Sequence, residues 1–228
     1  EDYFQLEGLA YRLVPIKTQT SYPKLGRIDT DLLYNNLMNK FGDHSRLDLV
    51  NNPKPQDHTP YPYLWGGIND PGVYNNEDNN RLFSNIALMH TRLAQALIEK
   101  GDLIKAEKVL DQTVTLFNPD VIPILQVYNF QYTTQVVDMI KLYFKINTPS
   151  AQQKGMKLAN RLMDSLLETF DWFDQCDERT INIQSENIDN TALVLKELLN
   201  NLTPEQMAVI QPKLSKIKIS KIEKYYLP

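Results

Sequence analysis

The stretch Ile86-Ala-Leu-Met-His-Thr-Arg-Leu-Ala-Gln-Ala-Leu-Ile-Glu-Lys-Gly101-Asp-Leu-Ile-Lys-Ala-Glu-Lys-Val-Leu-Asp-Gln-Thr-Val-Thr-Leu-Phe117 decides the fold class. Ile86, Met89, Leu93, Ala94, Leu97 and Ile98 recur at helical spacing and share one face of a helix that stops at Gly101. Ile104, Ala106, Val109, Leu110, Val114 and Phe117 share a face of a second helix that ends near Pro119. Two amphipathic helices joined across a glycine predict an antiparallel helical hairpin.

Further helices follow downstream. Ile124, Val127, Tyr128, Tyr132, Val136, Ile140 and Tyr143 make Pro123–Ile146 apolar nearly all round, the mark of a central, buried helix. Met156, Ala159, Leu162, Met163, Leu166, Leu167 and Phe170 predict a helix over Pro149–Phe173, and Asn187–Asn201 supplies another. Thr203-Pro-Glu-Gln206 combines an N-cap, a proline at the first helical position and a capping-box glutamine, so a last helix starts there.

Upstream, the character changes. Residues 1–80 hold six of the eight Gly and seven of the thirteen Pro, which makes the first third loop-rich. Leu9–Pro15 alternates as a short strand closed by its proline, and Asp29 or Thr30 can cap a helix carrying Leu32, Leu33, Asn36, Leu37 and Phe41, ended by Gly42. A long loop follows, from His44 to Asn76.

With 228 residues, 42% apolar and 23% charged, the chain suits one globular domain, or one with an appendage, and is not a disordered or low-complexity segment. Its net charge of -4, from 24 basic and 28 acidic side chains, is too mild and mixed for phosphate-neutralising contacts, so no nucleic-acid partner is expected. The longest stretch without a formal charge, Val121–Val137, is polar in part and shorter than the about 20 apolar residues of a membrane span. Cys176 is the single cysteine, which excludes an intramolecular disulfide and a cysteine-based zinc site. The chain starts at Glu1 without Met or signal peptide, and we take it to be an excised piece of a longer protein.

His90–Pro119 resembles a tetratricopeptide repeat. With Ala106 as the small residue of the second helix, Leu93, Ala94, Leu97, Gly101 and Leu110 fall on the repeat's packing positions. It departs at His90, where tryptophan is usual, and at Thr113, where a small apolar residue is usual; the proline is displaced by one. Pro123–Phe173 resembles a second, degenerate repeat, with Gly155, Ala159 and Leu162 in similar roles. These resemblances imply a mainly α fold of tetratricopeptide-like antiparallel hairpins, an α-α superhelix in miniature, with a small irregular N-terminal part containing a short strand. The implied organisation is a loop-rich segment over 1–77, helical repeats over 78–175 and capping helices over 176–228.

A second resemblance rests on Glu1-Asp-Tyr-Phe-Gln-Leu-Glu-Gly-Leu-Ala-Tyr-Arg-Leu-Val-Pro-Ile16, Gly26-Arg-Ile-Asp-Thr-Asp-Leu-Leu-Tyr-Asn-Asn-Leu-Met-Asn-Lys-Phe41, Trp65-Gly-Gly67 and Asp70-Pro-Gly-Val-Tyr74. In order over roughly residues 1–175, these are similar to the C-terminal soluble part of a bacterial multi-pass membrane family of unknown function, with the topology of type C glycosyltransferases, related to protein O-mannosyltransferases. The chain departs from that family by an insertion at about 42–64. The resemblance implies that membrane helices and catalytic acids lie upstream, and that this chain is an extracytoplasmic, periplasmic tail. Its partners would then be a polypeptide or glycosylation acceptor and its own upstream membrane domain.

The chemistry legible in the residues is sparse. No phosphate-binding glycine loop, nucleophile elbow or zinc-protease helix is present. His44, His58 and His90 lie far apart, without the spacing that puts two ligands on one helix face, so neither metal nor other cofactor is expected. Asp171, Asp174, Asp177 and Glu178 offer paired carboxylates for a hydrolase, although a solvated helix end accounts for them as well. Tyr61, Tyr63, Trp65 and Tyr74, beside Asn69, Asp70, Asn75 and Asn76, form the candidate binding site, since flat rings with amide and carboxylate partners recognise sugars or peptides. Rings flanked by Pro and Gly also pack long loops onto helices, and on that reading Trp65 is a buried anchor. Lys213, Lys216, Lys218, Lys221 and Lys224 alternate with isoleucines and either touch an anionic membrane surface or coat a terminal helix. The expected role is non-catalytic: protein interaction or acceptor positioning. Its rivals are a free glycan-binding protein and, more remotely, a hydrolase.

Overall fold

Alternating residues near the N-terminus build a small sheet in this computed structural model, which describes residues 3–15, 17, 26–42, 63–126 and 130–217. Strand β1 (Phe4–Leu6) pairs antiparallel with β2 (Tyr11–Leu13), Phe4 opposite Leu13 and Leu6 opposite Tyr11. Strand β3 (Arg27–Ile28) runs parallel to β1 on its other side. The strand expected over Leu9–Pro15 is thus the shorter β2, and its partner β1 is too brief to carry a period-2 signal. Gly26 lets β3 enter this close: its φ is +69°, and a Cβ there would stand 2.6 Å from the Phe4 carbonyl oxygen.

Asp29 caps helix α1 (Thr30–Tyr34), accepting from the Leu32 N–H at 3.0 Å. Instead of continuing regularly towards Gly42, the chain widens into a π-helical turn over Asn35–Asn39. Within it, Asn36 donates to the Glu7 carbonyl, tying this turn to the end of β1, and Asn39 donates to Asn35 Oδ1 at 3.1 Å along the helix surface. Leu33 and Leu37 remain fully buried on one side. Strand β4 (Phe41–Gly42) then pairs parallel with β5 (Tyr63–Leu64).

Asn76 caps helix α2 (Glu77–Glu99), and Asp102 caps α3 (Leu103–Leu116). Gly101 between them has a φ of +84°, its N–H reaches the Ile98 carbonyl at 3.0 Å, and Asp102 N–H reaches Leu97 at 2.9 Å. These paired bonds form a Schellman C-cap, the stop that the glycine predicts. The two helices pack extensively on each other, with Leu93, Ala94, Ala106, Val109 and Leu110 fully enclosed. Thr91 and Thr113 sit in the same buried faces without penalty because their hydroxyls donate to the carbonyls of Ala87 and Val109 one turn back, at 2.8 and 2.7 Å.

The chain divides into two compact units, Glu1–Ile122, which holds the elements above, and Pro123–Pro228. In the second, helix α4 (Phe130–Ile146) starts later than the expected Pro123. The Gln126 side chain donates back to the Pro123 carbonyl at 3.1 Å and its N–H donates forward to Thr133 Oγ1 at 3.0 Å, which commits this segment to a non-helical lead-in. Helix α5 (Pro149–Gln175) is capped by Thr148. It packs on α4, on α7 (Ser185–Asn200) and on α8 (Pro204–Leu214). The Thr203 and Gln206 capping box of α8 is formed. Between α5 and α7 lies α6 (Glu178–Ile183), too short for its period to be legible in sequence. Tyr132, Ile140, Tyr143, Leu162, Leu166 and Leu198 form the core here. The protein is mainly helical, with a small three-stranded sheet near its N-terminus.

Candidate functional site

The aromatic loop is built on two consecutive glycines. Gly66 and Gly67 have φ values of +71° and +75°, left-handed conformations that turn the chain sharply after Trp65. Asp70 organises the next bend: its N–H donates to Gly67 at 3.0 Å, its carboxylate accepts from Gly72 N–H at 2.8 Å, and its carbonyl accepts from Val73 N–H at 3.0 Å. Asn76 Oδ1 accepts from Asn79 N–H at 2.9 Å as the cap of α2, and Asn75 turns back to the Val73 carbonyl. Asp70 and Asn76 therefore hold the loop's own turns.

Trp65 is half-buried, its ring tilted against that of His90 with centroids 5.6 Å apart. His90 itself is fully enclosed. Its Nδ1–H donates to the Ile86 carbonyl at 2.9 Å, and burial lowers its pKa to about 4, so the ring is neutral at physiological pH. Ile68 is buried, whereas Tyr74 is 87% exposed. Asn69 is half-buried. Tyr61 lies outside the described residues; for Tyr63 only the backbone pairing with Phe41 is described. Of the candidate binding residues, then, Trp65, Asn69, Asp70 and Tyr74 stand on one short segment between β5 and α2.

His44 and His58 lie outside the described residues, and among those described no group of three or more His, Cys, Asp or Glu could hold a metal ion. The acidic cluster divides by role. Asp177 caps α6 through Thr180 N–H at 2.7 Å, Glu178 opens that helix, and Asp171 is exposed. Glu178, Arg179, Asn182 and Ile183 line a hollow along α6. Of the basic C-terminal end, Lys213 turns onto α5, meeting Asp164 at 2.7 Å and the Asn160 carbonyl at 3.3 Å, while Lys218, Lys221 and Lys224 lie outside the described residues.

Sequence reasoning missed two charged arrangements. Arg92 is buried on α2, where it donates to the Tyr11 hydroxyl at 2.6 Å and to the Gly26 carbonyl at 3.2 Å, tying the sheet to the helix. Lys141 bridges Asp138 at 3.2 Å and Glu197 at 2.6 Å, joining α4 to α7. Burial pushes the Asp138 carboxyl up against the pull of Lys141. The Asp138 to Lys141 spacing is visible in sequence, but no local pattern announces Glu197.

Among the described residues no helix is long and apolar enough to cross a membrane. No protein-family model, curated protein or solved structure matches the chain.

Proposed function

We propose that the chain is a non-catalytic interaction module built on tetratricopeptide-like helix pairs, and that it is the extracytoplasmic tail of a multi-pass membrane protein of glycosyltransferase topology, where it binds polypeptide or positions an acceptor. The helix-pair part of this reading is supported by the helix seams. Ala94 and Ala106 are fully enclosed in the first pair, and Gly155 lies against Phe144 in the second. Small residues at these points are what a repeat of this kind requires for its two helices to approach. Repeat pairs of that design present side chains along extended surfaces suited to polypeptides.

One observation favours a second reading, a glycan-binding loop: Tyr74 projects an exposed ring beside the ordered Asp70 turn. Against it, Asp70 and Asn76 already hold the loop's backbone. Parallel retention assays discriminate the two. The chain is passed over immobilised mixed-sequence peptides and over an array of bacterial glycans; retention on the peptides alone is expected. Retention on glycans alone, lost in Tyr74→Ala, would replace the first reading with the second.

A further inference from the structure

Strand β2 is an outer strand of its sheet, in the order β2-β1-β3. Its hydrogen-bonding phase follows from two bonds: Val14 N–H to the Tyr3 carbonyl at 2.8 Å, and Glu7 N–H to the Ala10 carbonyl at 3.3 Å. Pairs alternate in an antiparallel ladder, so Gln5 and Arg12 form the bonded pair between these, and Phe4 with Leu13 and Leu6 with Tyr11 are the non-bonded pairs. The main-chain N–H and C=O groups of Tyr11 and Leu13 consequently point away from β1. No strand among the described residues pairs with that side.

The side chains at this edge alternate in chemistry. Phe4, Tyr11 and Leu13 share one face of the sheet and are 41%, 41% and 71% exposed, with the Phe4 and Tyr11 rings edge to face at 6.2 Å. Arg92 donates to the Tyr11 hydroxyl and sets its guanidinium over the Tyr11 ring, 5.8 Å from the centroid, so that ring is held in place before anything binds. Arg12 projects from the opposite face, two-thirds exposed; among the described residues the Glu7 carboxylate engages its Nε at 3.1 Å.

We infer that the outer edge of β2 is a docking site for an extended polypeptide segment carrying an acidic residue between two apolar ones. Outward main-chain donors and acceptors in register are satisfied by another extended backbone, the recognition mode of strand addition. The apolar residues of such a segment fall beside Tyr11 and Leu13, and its carboxylate falls beside the Arg12 guanidinium. A second copy of this chain is disfavoured by charge: two β2 strands pairing through their Tyr11 and Leu13 groups would set Arg12 directly opposite its own counterpart. This site deepens the polypeptide-binding reading and rests on it.

The test uses the whole chain and two fluorescent peptides, each with valines at alternate positions, one with a central glutamate and one with a central lysine. Anisotropy titrations should show a preference of roughly threefold for the glutamate peptide, the size of one cross-strand charge pair. Arg12→Gln should erase the preference. Leu13→Pro removes an outward donor together with the Leu13 side chain, a change an edge strand tolerates, so it should weaken both peptides by roughly tenfold or more, with the melting temperature little changed. Equal affinity of the wild-type chain for both peptides, or peptide binding insensitive to both variants, would overturn the site while leaving polypeptide binding standing. Failure to bind either peptide or the mixed-sequence pool would overturn both. Concentration-dependent dimerisation abolished by Leu13→Pro would assign the edge to a second copy instead.

Discussion

A Cβ placed on Gly155 would stand 2.7 Å from Cε1 of Phe144 and 3.1 Å from Cβ of Tyr143. Helix α5 thus meets α4 so closely that any side chain larger than hydrogen makes the Phe144 ring shift. Gly155→Ala gains about 1 kcal/mol of helix propensity, and overpacking costs about 1–3 kcal/mol, so the balance tips towards loss. Gly155→Val should cost more, since it adds volume and little propensity. Denaturant midpoints falling in the order wild type, alanine, valine are expected; an alanine variant more stable than the wild type would show that Phe144 yields freely.

Ala106 is the counterpart in the first helix pair, enclosed between α2 and α3. Ala106→Leu should overpack this seam by roughly 1–3 kcal/mol, read as a lowered melting temperature. An unchanged melt would count against the close approach on which the repeat reading depends.

His90 gives the first unit a pH dependence with a defined sign. Burial depresses its pKa from 6.5 to about 4, so between those values the unfolded chain binds a proton that the folded chain refuses. Its contribution favours the folded state above about pH 6.5 and is withdrawn as the pH falls towards 4, in all by roughly 3 kcal/mol. Asp138, raised by burial, acts in the opposite direction, so the His90 effect is best read as a difference between variants. Unfolding of the wild type and of His90→Gln at pH 7 and at pH 4.5 should show the wild type losing more stability; equal losses would contradict a neutral, enclosed ring.

Trp65 and Tyr74 separate packing from recognition within one loop. Trp65→Ala removes a half-buried ring from His90 and should cost about 2 kcal/mol, less than the roughly 3–5 kcal/mol of a fully enclosed tryptophan. Tyr74→Ala should leave the melt unchanged, because its ring is almost wholly in solvent. Thermal melts of the two variants check both expectations.

The helices were legible wherever an apolar period ran over several turns between recognisable stops. Gly101 and Thr203 act as the stop and the cap their residue types predict, whereas Asn76, read as a loop residue, caps α2. What the sequence does not announce is local or long-range: α6 is too short to show a period, and the π-helical turn over Asn35–Asn39 looks regularly helical by spacing alone. In the loop, the spacing of Trp65, Asp70 and Tyr74 was visible, but the engagement of Asp70 by its own turn and the contact between Trp65 and His90 depend on the folded chain. The edge of β2 was invisible for a similar reason: alternation marks a strand, whereas its outer position follows from pairing with β1 and β3.

The claim that this chain is the extracytoplasmic tail of a multi-pass membrane protein is tested most directly on the full-length gene product in its own cells, with an antibody raised against the chain and protease added to intact spheroplasts. The account predicts that the antigen stays in the membrane pellet through an alkaline carbonate wash and is digested by the external protease. Antigen released by the wash, or protected until the membrane is broken, would contradict it.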